Sequence, residues 1–73
     1  MSGNVDAVTQ DTVTVASKVY RFTPQTAFKA HEKKGDSIYE VQAKKSDIRP
    51  GQYVVVMANG QIALEVIVAR WRQ

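Results

Sequence analysis

Nowhere along these 73 residues do apolar side chains recur at the three- and four-residue spacing of an amphipathic helix. Short runs rich in Val, Ile, Thr, Tyr and Phe recur instead between turn signals, so the chain reads as all β. A chain of this length organises a single hydrophobic core, and folding buries roughly 60% of its unfolded surface, which leaves little room for strain or a deep cleft. It has no cysteine, which removes a disulfide framework, a thiolate metal site and a cysteine nucleophile. Packing alone must hold the fold.

The first strand is expected at Asn4 to Thr9, turned by Gln10-Asp11 into Thr12, with Val8 facing the same core as Val13. A hairpin follows, with Ala16-Ser17-Lys18-Val19 as its turn region. In that register Val15 opposes Tyr20, Thr14 opposes Arg21 and Val13 opposes Phe22, gathering Val13, Val15, Tyr20 and Phe22 on one face. Ser-Lys is poor at the centre of a type I′ turn, where both residues need positive φ. Thr23-Pro24-Gln25-Thr26 breaks the ladder because Pro24 has no N–H to donate. Ala27 to His31 is read as an edge strand, with one helical turn as the alternative.

Glu32-Lys33-Lys34-Gly35-Asp36-Ser37 reads as a charged loop, followed by a strand from Ile38 to Ala43 whose inward set is Tyr39, Val41 and Ala43. Ser46 or Asp47 starts a 3₁₀ turn, Ile48 plugs the barrel bottom, and Pro50-Gly51 suits the centre of a type II turn. The strongest hairpin signal is Asn59-Gly60 between two apolar runs. A type I′ turn there pairs Met57 with Ile62, Val55 with Leu64 and Tyr53 with Val66 on one face. The other face then carries Val54, Val56, Ala63, Glu65, Ile67, Ala69 and Trp71, too apolar to be wholly solvated. Arg70 and Arg72 flank Trp71, and the parity requires the strand to bulge or leave the barrel before Arg70.

About five or six short antiparallel strands joined by tight turns fit a small barrel of OB-like or SH3-like type better than a sandwich. Closure also removes strand edges that would template aggregation. We expect one domain over residues 1–73, with an ordered core from about residue 4 to residue 71.

The run Thr12-Val13-Thr14-Val15, then Val19-Tyr20-Arg21-Phe22-Thr23-Pro24-Gln25-Thr26, then Ser46-Asp47-Ile48-Arg49-Pro50-Gly51-Gln52-Tyr53-Val54 resembles a family of uncharacterised bacterial OB-like β-barrel domains. That family follows a Val-rich hairpin and a Tyr strand with a Thr-containing segment, Ser-Asp-Leu-x-x-Gly-x-x-Val and a final hairpin. The chain departs from it at Ala16-Ser17-Lys18, where the family has an Asn-Gly type of turn, and at Lys33-Lys34-Gly35, which enlarges the middle loop. The resemblance implies the fold and carries no activity.

The chemistry-bearing residues are sparse. His31 is the only histidine, with Glu32 and Asp36 nearest in sequence, and it is expected as a solvated loop residue. There is no Gly-x-Ser-x-Gly elbow and no Gly-rich phosphate cradle, so we expect no enzyme, no catalytic or metal residue and no cofactor. Ten Lys plus Arg against seven Asp plus Glu give a net charge of +3. The cations form three groups: Lys29, Lys33 and Lys34; Lys44 and Lys45; Arg70 and Arg72. If they meet on one side, they form a basic face for single-stranded nucleic acid.

We expect first a non-catalytic binding or accessory module, acting by protein interaction or self-association. Its candidate face is Val54, Val56, Ile67 and Trp71, and an exposed strand edge is the other route. Weak single-stranded nucleic-acid binding is the alternative. No apolar run is long enough to span a bilayer, and the first residues lack the basic and apolar regions of a signal peptide. The default expectation is therefore cytoplasmic, unless a leader was removed ahead of Met1.

Overall fold

The computed structural model describes residues 1–72, with Arg72 described through its backbone only. Seven strands form one sheet: β1 (Ser2–Val8), β2 (Thr12–Val15), β3 (Lys18–Arg21), β4 (Ala27–Lys34), β5 (Ser37–Gln42), β6 (Tyr53–Asn59) and β7 (Ile62–Ala69). Their order is β3-β2-β1-β6-β7-β4-β5, and a further pairing of β3 with β7 closes five of them into a barrel. The barrel fits the small OB- or SH3-like class expected, with two parallel contacts added to the antiparallel ones: β3 with β7, and β4 with β7. β4 and β5 are the two extra strands. Thus Ala27 to His31 is a strand but not an edge, because β4 lies between β7 and β5.

The core is built from small β-branched side chains. Val13, Val15, Val54, Val56, Val66 and Val68 are its largest fully buried members, with Tyr20 and Ile48 beside them. Phe22 and Phe28 close one end edge to face, their ring centroids 5.1 Å apart. Below them Thr23 to Thr26 leaves the ladder as expected, and the Thr26 hydroxyl donates to the Ala63 carbonyl at 2.7 Å while accepting the Thr23 N–H at 2.8 Å. The 3₁₀ turn forms at Lys45–Asp47, where an Asp47 carboxylate oxygen accepts the Lys44 N–H at 2.8 Å. Gly51 takes φ +90, as the second central residue of a type II turn requires.

The β2–β3 hairpin turns one residue earlier than expected. Val15 pairs with Lys18 and Val13 with Tyr20, so Ala16 and Ser17 occupy the two central positions with φ 51 and 68. Neither residue favours that conformation, but Asp6 supplies a partner: it sits at an irregularity in β1, and its Oδ2 accepts the Ser17 N–H at 3.0 Å. Each strand's inward parity survives the shift, so Val13, Val15 and Tyr20 are still buried.

The expected loop from Glu32 to Ser37 is not a loop. Lys33 pairs with Ile38 and Lys34 with Ser37, leaving only Gly35-Asp36 as the turn, with Gly35 at φ 62. Glycine at the first central position is the type II′ arrangement, whose twist matches that of the flanking strands.

The β6–β7 hairpin departs furthest from the expected register. Asn59 pairs with Ile62, so Gly60-Gln61 forms the turn, with Gly60 at φ 62. A bulge then places Leu64 outside the ladder, between the Ala58–Ala63 and Met57–Glu65 pairs. Without it the same turn would set Glu65 opposite buried Val56. With it Val56 meets Val66 and Val54 meets Val68, and Glu65 points outward. The sequence-based face of Tyr53, Val55, Met57, Ile62 and Leu64 is therefore the outer one, where Met57 and Leu64 are exposed.

Candidate functional site

Val54 and Val56 belong to the core and cannot meet a partner. Ile67 is half-buried on the outer face, and Trp71, 43% exposed, lies in a 3₁₀ turn at Arg70–Arg72. The chain does leave the barrel before Arg70, as parity demanded, but the expected four-residue interaction face does not exist. The bulge at Leu64 and the register it sets divide its members between core and surface.

The three basic groups do not all meet: Arg70 comes to the Lys33 end of β4, while Lys44 and Lys45 stand past the far end of β5. Lys29 Nζ is held 2.9 Å from Glu65 and 3.4 Å from Glu40. Arg70 is ion-paired with Glu32. Lys33 and Lys34 are exposed at the tip of the β4–β5 hairpin, and as neighbours on a strand they point to opposite faces. Lys44 and Lys45 are exposed past the other end of β5. From Ser37 to Lys44 an extended chain covers roughly 23 Å at about 3.3 Å per residue. The Arg72 side chain lies outside the described residues.

His31 is a strand residue and not a loop one. It sits half-buried in β4 beside Glu40, its Nε2 3.2 Å from Glu40 Oε1. The hydrogen bond with His31, joined by the charge of Lys29, holds the Glu40 carboxyl below its ordinary range, although partial loss of water pulls the other way. The hydrogen bond with Glu65 and the charge of Glu40 raise Lys29 above the ordinary lysine value. Glu65, Lys29, Glu40 and His31 thus form a cross-strand ionic row over β7, β4 and β5. Among the described residues no three His, Asp or Glu side chains gather as a metal-ligand set. Among the same residues no helix is long and apolar enough to cross a membrane.

The sequence left the exposed strand edge without a place; the structure puts it at β5. β5 pairs with β4 on one side only. Because Lys34 and Ser37 close a two-residue turn, Ser37, Tyr39 and Val41 direct their N–H and C=O groups to β4, and the Ala43 N–H continues the series to Phe28 O at 3.0 Å. The backbone groups of Ile38, Glu40 and Gln42 point away from the sheet. Ile38 is 53% exposed and Tyr39 43% exposed, so this edge is apolar as well as open. At its base a cleft of about 430 Å³ is lined by Phe28, Val41 and Ala43 together with Lys29, Glu40 and Gln42.

Comparison with protein-family models, with characterised proteins and with solved structures returns no match to this chain.

Proposed function

We propose that this protein is a non-catalytic binding module that engages another protein by strand addition at β5. The observation that carries this reading is the row of outward backbone groups at Ile38, Glu40 and Gln42, beside two exposed apolar side chains and a half-apolar cleft. In strand addition the main chain supplies affinity, and pockets for alternate side chains supply selectivity. β5 offers both.

Gln42→Pro is the decisive variant. Its N–H points away from β4, so proline there removes an edge donor and leaves the β4–β5 ladder intact. Selection from a library of short random peptides on the wild-type protein should recover alternating, extended sequences that lose binding to Gln42→Pro. Peptides that bind wild type and variant equally would overturn the proposal.

Weak binding of single-stranded nucleic acid is the second reading. It draws on the barrel itself: five strands close where β3 meets β7, and five-stranded barrels of OB type hold oligonucleotides. OB-like kinship and membership of the family resembled in sequence are proposed together with this reading. The separation of the basic groups weighs against a single basic groove. A labelled oligonucleotide titrated at low salt should bind, and release as salt rises, if this reading holds. Absence of binding at high protein concentration would end it.

A further inference from the structure

We infer that the segment β5 receives is acidic at both ends and apolar or neutral between them, an inference that rests on the strand-addition reading above. Both ends of the edge are basic. Lys33 and Lys34 stand at the hairpin tip and Lys44 and Lys45 at the base, all exposed. Asp36 at the turn and Asp47, which accepts the Lys44 N–H, offset one charge at each end and leave each end net positive. The middle of the edge has the opposite character. Glu40 lies halfway along it on the outer face, and its carboxyl stays ionised under the influence of His31 and Lys29. An acidic residue in the centre of the incoming segment would meet that charge, whereas one at either end would meet lysines.

The same pattern disfavours a second copy of this chain as the occupant. Antiparallel pairing of two β5 strands sets the Lys33-Lys34 tip of one beside the Lys44-Lys45 base of the other. Parallel pairing sets tip beside tip and base beside base. Either way, basic ends oppose basic ends, a common device against edge-to-edge association. A foreign segment with complementary ends meets no such penalty. A segment of about seven to nine residues spans the distance between the lysine pairs. The cleft at the base, with Phe28, Val41 and Ala43 in its lining, would take one apolar side chain near that end.

The test uses a fluorescein-labelled peptide of about nine residues, alternating valine and threonine with acidic residues at both ends. Two companions are needed: a twin with lysines in place of the acids, and an acidic twin with its central amides N-methylated. Fluorescence anisotropy should show the acidic peptide binding at least about tenfold more tightly than the basic twin. Its affinity should fall as salt rises, and Lys44→Glu with Lys45→Glu should weaken it by about fivefold or more. The N-methylated twin should not bind.

Equal binding of the acidic and basic peptides, with the methylated one inactive, would overturn the charge inference and leave strand addition standing. Binding that ignores methylation would overturn strand addition itself. If none of the three binds, this inference falls, and the library selection decides the edge reading.

Discussion

Thr26 carries more of the fold than its size suggests. It is the buried polar side chain among the described residues, and its hydroxyl both donates to Ala63 O and accepts from Thr23 N–H, tying the loop after β3 to β7. Thr26→Val keeps the shape and strands both partners, so it should cost about 1–3 kcal/mol in a denaturant melt, with Thr26→Ser recovering most of the loss. A melt unchanged in Thr26→Val would show that the bonds contribute nothing net. At this scale the sequence was informative where side-chain character alone decides: Val13, Val15, Tyr20 and Ile48 were legible as core. It was silent where a distant partner decides. Nothing about Ala16-Ser17 signals positive φ, because the residue that supports it, Asp6, lies in another strand.

Among the elements, the β6–β7 hairpin separates two accounts of one turn. A type I′ turn at Asn59-Gly60 needs positive φ at Asn59, whereas the observed turn needs it only at Gly60. Asn59→Ala should therefore change stability by no more than about 0.5 kcal/mol, and Gly60→Ala should cost about 1–2 kcal/mol. A large loss from Asn59→Ala in thermal or denaturant unfolding would restore the other register. Gly35-Asp36 and Gly60-Gln61 both place glycine first, but Asn59-Gly60 reads as the stronger hairpin pattern and the charged residues around Gly35 read as a loop. The bulge at Leu64 was not legible, because its cause is the cost of burying Glu65 against Val56, which only the assembled barrel imposes.

The β4–β5 hairpin carries its own pH dependence. Glu40 titrates below its ordinary value in the folded state, so the stabilisation it gives is complete above the usual carboxylate range and is lost as pH falls through the lowered folded value. Lys29 titrates above its ordinary value, so its contribution persists at neutral pH and is lost only on passing above the lysine range. Amide protection in β4 and β5 should therefore fall relative to the barrel as pH drops below about 4. Glu40→Gln should abolish that change. An unchanged acid response in the variant would assign it to other carboxylates.

For the molecule as a whole, the barrel solves one problem and leaves another. Closure of β3 on β7 hides the edges of five strands, yet the appended hairpin ends the sheet at β5 with one edge uncovered. The fold class was legible because strand count, turn spacing and chain length all point to a small barrel. The site was not, because the residues that make it, Ile38, Glu40 and Gln42, act through their backbones, which sequence does not distinguish. The basic residues gained their meaning only from placement at the two ends of that edge.

Residue-resolved amide hydrogen exchange, with and without the acidic peptide, tests the edge most directly. In the free protein Tyr39, Val41 and Ala43 should exchange slowly and Ile38, Glu40 and Gln42 fast. On adding the peptide, protection should appear at Ile38, Glu40 and Gln42. Protection of those three amides in the free protein, or peptide-induced protection confined to other strands, would contradict the account.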